Sequence, residues 1–158
     1  ENINDSKLLK PKLREELSGF IKSNSIWAIE SVEIGYINQY GIGKANIAVF
    51  RKVLKTMLKN FNDLNHFILI DGFHKRYLPG GIKKQKAIIK EDRKSISIAS
   101  ASIIAKVYRD NLMREASNTY PNYNFEQNKG YGTLAHRSAL KTYGACDFHR
   151  NVFISNNL

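Results

Sequence analysis

Phe67-Ile68-Leu69-Ile70-Asp71-Gly72 is the stretch on which the reading of this chain turns. Four apolar residues in a row, with no polar interruption, suit a central strand buried on both faces of a sheet. The run stops abruptly on a carboxylate and a glycine. Asp71 therefore falls at the carboxyl end of the strand, where open α/β sheets gather their ligands. A turn-forming aspartate is the competing reading, and position by itself does not separate the two.

Downstream comes a turn-rich, basic connection carrying Lys75, Arg76, Pro79, Gly80, Gly81, Lys83 and Lys84. Ala87-Ile88-Ile89 forms another short strand and leads into Lys90-Glu91-Asp92. Two carboxylates on neighbouring strand ends, Asp71 and Asp92, can share divalent cations, and hard oxygen donors favour Mg²⁺ or Mn²⁺ over zinc. Ser95 caps a long helix that runs to Thr119 and is stopped by Tyr120-Pro121. Thr133, at the end of Lys129-Gly130-Tyr131-Gly132-Thr133, caps a last helix that ends at Tyr143-Gly144.

Upstream, Pro11 opens a helix through Ser23 with Leu13, Leu17, Phe20 and Ile21 inward. Residues 26–32 are short, β-branched and aromatic, and read as a strand. Gly41 and Gly43 interrupt before a second helix over residues 45–60. Its inward face holds Val49, Val53, Met57 and Phe61, and its outward face Arg51, Lys52, Lys55 and Lys59. Strands alternating with helices give an α/β class, with one domain over residues 1–158. Only three strands are legible, few for a sheet that must bury these helices. The first residue is Glu1 rather than Met, and upstream sequence is expected to be missing.

The chain has 25 Lys and Arg against 14 Asp and Glu, a net charge of +11 that suits a polyanionic partner. A soluble basic surface would carry the same charge. One cysteine, Cys146, excludes an internal disulfide and a Cys-based zinc site, and reads as a small half-buried hydrophobe. No apolar run is long enough to span a bilayer and no secretory signal opens the chain, so a reducing, cytoplasmic setting is the default. The long helix opens on Ser95, Ser97, Ser100 and Ser102, small residues for close packing rather than a nucleophile, since no Gly-x-Ser-x-Gly turn is present. Lys106 and Asp110 stand four apart and can pair on one helix face. His66, His74, His136 and His149 lack metal-ligand spacing; His136 reads as solvent-facing and His149 as part of a C-terminal turn.

Taken together and in order, Asn4-Asp5-Ser6-Lys7, Leu69-Ile70-Asp71-Gly72, Lys90-Glu91-Asp92, residues 99–110, Lys129-Gly130-Tyr131-Gly132-Thr133, His149-Arg150 and Phe153 resemble the bacterial-type ribonuclease HII family, the type 2 ribonucleases H. The resemblance covers nearly the whole chain. It implies a ribonuclease H-like mixed sheet flanked by helices, and hydrolysis of the RNA strand of RNA–DNA hybrids. It also implies incision on the 5′ side of ribonucleotides embedded in duplex DNA, leaving a 5′-phosphate and a 3′-hydroxyl by a two-metal-ion mechanism. Of the family's four acidic residues, Asp71 matches the third and Asp92 the fourth. The first two belong to an Asp-Glu-x-Gly-Arg-Gly motif that this sequence does not contain, so the sheet is expected to lack its first two strands. Tyr131 matches the tyrosine that senses the junction between the ribonucleotide and the next deoxynucleotide. Its flanking glycines allow close backbone approach while the ring packs on a sugar; a tyrosine buried in its loop is the alternative.

Beside that resemblance, Asn4, Lys7 and Lys129 are candidate substrate contacts, with an N-terminal polar turn the competing reading of Asn4 and Lys7. Asp110 is either a supporting acid near the metal site, with Lys106, or only the ion-pair partner of Lys106. The lysines of the second helix are candidate backbone contacts. A monomer is expected. Two other outcomes stay open: a basic fragment that binds hybrid duplex without cleaving it, because two of four carboxylates balance the cations poorly, and a type 3 ribonuclease H, which shares the fold. The Lys129–Thr133 motif favours type 2.

Overall fold

The computed structural model describes residues 9–60, 66–73, 78, 79, 81–88 and 95–154. Contacts divide the chain into two compact units, Glu1–Ser31 with Asn46–Val107 and Val32–Ala45 with Tyr108–Leu158.

In the first unit, α1 spans Pro11–Asn24 with its proline in the opening turn, where no amide partner is lost. Its buried residues are Arg14, Ser18 and Ile21, while Leu17 is half-buried and Phe20 is exposed. The inward face is thus turned away from the one expected from Leu13 and Phe20. Arg14 is tolerated inside because its guanidinium donates to the Leu9 carbonyl at 2.8 Å. Ile21 packs with Ile103 and Ile104, against Leu9, Leu17 and Ile29.

The strand expected at residues 26–32 does not form; the segment runs without regular structure and Ile26 is 56% exposed. β-branched residues make a strand only where a partner and a buried face exist. Here the segment is fastened by side chains instead: Thr56 donates to the Glu30 carboxylate at 2.7 Å and Lys52 to the Ser31 carbonyl at 3.1 Å.

Both of these donors lie on α2, Ile34–Asn60, which breaks at Gly41 (φ 80, ψ 162), a conformation open to glycine. The break was legible; the helical turns before it were not. They are supported by Tyr36 against Tyr40, ring centroids 4.6 Å apart. Past the break, Arg51, Lys52, Lys55 and Lys59 are exposed as expected and Val49, Val53 and Met57 half-buried; Phe61 lies outside the described residues.

Strand β1, Ile68–Asp71, pairs in parallel with β2, Gln85–Ile88, with Ile70 opposite Ala87 and Asp71 opposite Ile88. These two strands are the whole sheet among the described residues. The α/β class is therefore met with helices dominating. The one described pairing is parallel, and β1 is not buried on both faces. Ile70 is 1% exposed and Leu69 38%, the alternation of a strand with one covered face.

In the second unit Met113, Ala116, Tyr123, Phe125 and Leu140 form the core, joined by Tyr120, Cys146 and Phe148. Helix α3, Ile96–Thr119, which belongs to the first unit as far as Val107, begins as expected with the Ser95 hydroxyl accepting from the Ile98 amide at 3.5 Å, and a 3-10 turn at Pro121–Tyr123 ends the run. Short α4, Phe125–Asn128, precedes α5, Leu134–Tyr143, and α6, Asn151–Ile154. Thr133 caps α5 and Gly144 closes it at φ 74 with its amide on the Leu140 carbonyl. Among the described residues no helix is long and apolar enough to cross a membrane.

Candidate active site

Asp71 is the last residue of β1 and its side chain is exposed. The ladder continues one step past it, where the Gly72 amide donates to the Ile88 carbonyl at 2.9 Å, so the backbone beneath the carboxylate is held. A carboxylate so placed is a hard oxygen donor of the type that suits Mg²⁺ or Mn²⁺. Asp92, Asn4 and Lys7 lie outside the described residues. Among those described, no group of three or more His, Cys, Asp or Glu is gathered to hold a metal. Lys106 and Asp110 are both half-buried on α3.

Tyr131 sits on a loop with a dense internal framework, and its side chain is 61% exposed. The alternative of a buried tyrosine is thereby overturned. Beneath it, Asn128 is buried, its amide nitrogen donating to the Tyr123 carbonyl at 2.6 Å and its amide oxygen accepting from the Gly130 backbone at 2.8 Å. Lys129 and Gly130 follow at φ 49 and 76, two left-handed residues in succession. Glycine is favoured at 130 by its left-handed conformation, and a Cβ there would also meet the mobile end of Met113, Cε at 2.9 Å. Arg109 donates to the Lys129 carbonyl at 3.1 Å. The Tyr131 amide donates to the Asn128 carbonyl at 2.8 Å, and the Tyr131 carbonyl accepts from the Thr133 amide, also at 2.8 Å.

His136 is not solvent-facing. It is 5% exposed, its Nδ1 lies 2.9 Å from the Tyr131 carbonyl and its Nε2 3.1 Å from Nε2 of His149. The ring stands edge-on to Phe125 at 5.4 Å. The signal was in the sequence: His136 stands one helical turn before Leu140, the other buried residue of α5. His149 is a buried part of the C-terminal turn, as expected, and burial holds its imidazole below the ordinary histidine range. Cys146 is half-buried, as expected, and desolvation pushes its thiol upward. Arg150 is lowered from its usual value by burial, then by the neighbouring charge of Arg109.

In the first unit, Arg51, Lys55 and Lys59 line an open hollow with Leu58, Leu78 and Pro79. Its cationic rim with an apolar floor can take a sugar–phosphate chain.

A sequence model of the ribonuclease HII family matches residues 2–156. The chain belongs to the ribonuclease HII family. It is similar to a ribonuclease HII of Fusobacterium nucleatum, 43% identical over 155 residues that cover 98% of this chain and 71% of the relative. A ribonuclease HII of Chlamydia caviae is 43% identical over 153 residues, 96% of this chain and 68% of that protein. For a ribonuclease HII of Clostridium beijerinckii the identity is 44% over 160 residues, 99% of this chain but 56% of the relative. The chain thus spans between about half and three quarters of the ribonuclease HII proteins it matches.

Proposed function

We propose that this ribonuclease HII family member is a divalent-metal-dependent endonuclease. Its substrates are the RNA strand of RNA–DNA hybrids and ribonucleotides embedded in duplex DNA, and its products carry a 5′-phosphate and a 3′-hydroxyl. The observation that carries the reading is an exposed carboxylate, Asp71, on the last residue of a parallel strand in a chain matched to this family over residues 2–156.

Asp71 and Asp92 would hold Mg²⁺ or Mn²⁺, with Asp110 and Lys106 as supporting groups. When bound, the metal supplies charge neutralisation at the phosphorus and activation of the attacking water. The ladder bond at Gly72 keeps the Asp71 backbone from yielding. The exposed Tyr131 ring packs on the sugar beside the cut, and Lys129, Asn4 and Lys7 contact the substrate there. Arg51, Lys55 and Lys59 take phosphates along the duplex and set affinity rather than selectivity. Cytoplasmic action as a monomer in removing RNA from DNA belongs to the same proposal.

The test is a duplex with one embedded ribonucleotide, incubated with the purified full-length protein and Mg²⁺ or Mn²⁺. A nick on the 5′ side of the ribonucleotide that is lost with chelator and with Asp71→Asn is expected. Binding without cutting, or undiminished cutting by the variant, overturns the proposal.

A further inference from the structure

The buried contacts behind the Tyr131 loop form an unbroken run with a definite direction. The Cys146 amide donates to Nδ1 of His149 at 3.0 Å. The same nitrogen lies 3.1 Å from Cys146 Sγ and 3.3 Å from the Cys146 carbonyl. With the amide, the shortest of the three contacts, as its donor, it is an acceptor and a neutral His149 carries its proton on Nε2. Nε2 of His149 lies 3.1 Å from Nε2 of His136, so it donates there and His136 carries its proton on Nδ1. Nδ1 of His136 then donates to the Tyr131 carbonyl at 2.9 Å. Each step leaves one arrangement for the next, and the last proton points at the backbone of the exposed tyrosine. Only one proton fits between the two Nε2 atoms, since a second would set donor against donor.

The Tyr131 carbonyl thus receives two donors, His136 Nδ1 and the Thr133 amide at 2.8 Å, while the Tyr131 amide is bound to Asn128. Holding both backbone groups of one residue while leaving its ring 61% exposed is the construction of a fixed platform rather than an adaptable loop. The aromatic cluster carries this outward. Tyr123 meets His149 at 4.8 Å and Phe125 meets His136 at 5.4 Å between ring centroids, so neither imidazole can swing without disturbing the core.

We propose that His136 is a positioning residue for Tyr131: a neutral imidazole, oriented by His149 and the Cys146 amide, that fixes the backbone from which the tyrosine meets the ribonucleotide junction. The assignment rests on the nuclease reading above, and its tests are arranged so that the two can fail separately.

Two substitutions distinguish the positioning bond from simple filling of space. In His136→Asn the amide nitrogen stands near the place of Nδ1 and still reaches the Tyr131 carbonyl. In His136→Gln the longer side chain carries its amide to the His149 end instead, while filling more of the cavity. A space-filling histidine would be better replaced by Gln, a positioning one by Asn. In the full-length protein, His136→Asn is expected to incise a single embedded ribonucleotide within about threefold of wild type. His136→Gln should lose about tenfold, roughly one hydrogen bond, with a smaller loss on long hybrid. Amide exchange over residues 129–133 should quicken in the Gln variant and not in the Asn variant. Equal behaviour of the two, or the reverse order, overturns the proposal.

Imidazole ¹⁵N spectra of the unmutated protein at pH 7.5 give a reading that no folding defect can blur. His136 should be protonated on Nδ1 and His149 on Nε2, and any other pair of tautomers overturns the assignment. If the unmutated protein cuts neither substrate, the nuclease reading fails; the exchange and tautomer results still decide whether His136 holds the Tyr131 backbone.

Discussion

Asp71 and Tyr131 are both exposed, but they stand on very different supports. Asp71 ends a short parallel strand with one covered face, and its neighbour Leu69 is itself 38% exposed. Tyr131 rises from a loop in which the Lys129, Gly130, Tyr131 and Thr133 amides are all bonded, over a core in which Tyr123 and Phe125 stack at 5.5 Å and two histidines are buried among the rings. On the proposed reading, the difference follows from what each residue would do. A metal-binding carboxylate is oriented in large part by the cation and the other ligands it shares it with. A tyrosine that discriminates by shape must be held before the substrate arrives, because ordering it afterwards would cost affinity.

This contrast can be broken or sharpened by measurement. The largest expected effect is on stability: Phe125→Ala should cost about 3–5 kcal/mol in urea unfolding, since it empties a fully buried ring site, and Leu69→Ala well under half as much. Equal losses would remove the distinction between the two supports. Next is Asp71→Asn. Loss of a group behind a metal ligand already costs about 10–100-fold, so removing the ligand charge should lower cleavage by more than about 100-fold, or ~2.7 kcal/mol, while the unfolding midpoint stays unchanged. Tyr131→Ala should lower incision at an embedded ribonucleotide by about 1–3 kcal/mol of lost ring contact, again with stability intact. Gly130→Ala forces a left-handed alanine and displaces the Met113 methyl, so thermal unfolding should show a loss of about 1–2 kcal/mol.

The smallest effect is a pH dependence. His149 is lowered from the ordinary value of 6.5, first by burial and also by His136, while the Cys146 carbonyl 3.3 Å from Nδ1 opposes the shift. The unfolded chain therefore takes up this proton more readily than the folded one. The stabilisation is complete above the unfolded value and is lost as pH falls through the folded one. The urea midpoint should drop between pH 7.5 and 5, and drop less in His149→Gln. Tyr123, Cys146 and His136 also face this ring, so their single variants give the background.

What the sequence made legible was local. Ser95 and Thr133 announced their helices through side-chain capping, Gly41 its break and Gly144 its stop, because each acts within a few residues. Asp71 at a strand end and Tyr131 between glycines were likewise visible. Features that depend on distant partners were not. Residues 26–32 have strand-forming side chains but no partner strand among the described residues, and the buried Arg14 is received by the Leu9 carbonyl. Arg109 reaches the Lys129 carbonyl from twenty residues away, and no spacing announces it. His136 faced inward through a partner thirteen residues further on, and its place before Leu140 was the one local hint. Membership of the family was carried by the ordered motifs and is matched over residues 2–156.

The interval between Tyr131 and His136 is itself information. Thr133 accepts the His136 amide to start α5, and the imidazole of that same residue turns back to the tyrosine carbonyl. Capping and clasping therefore share one count of residues. A single residue inserted after Thr133 would advance the histidine by about 100° around the helix, leaving the composition of the motif nearly intact and its meaning gone.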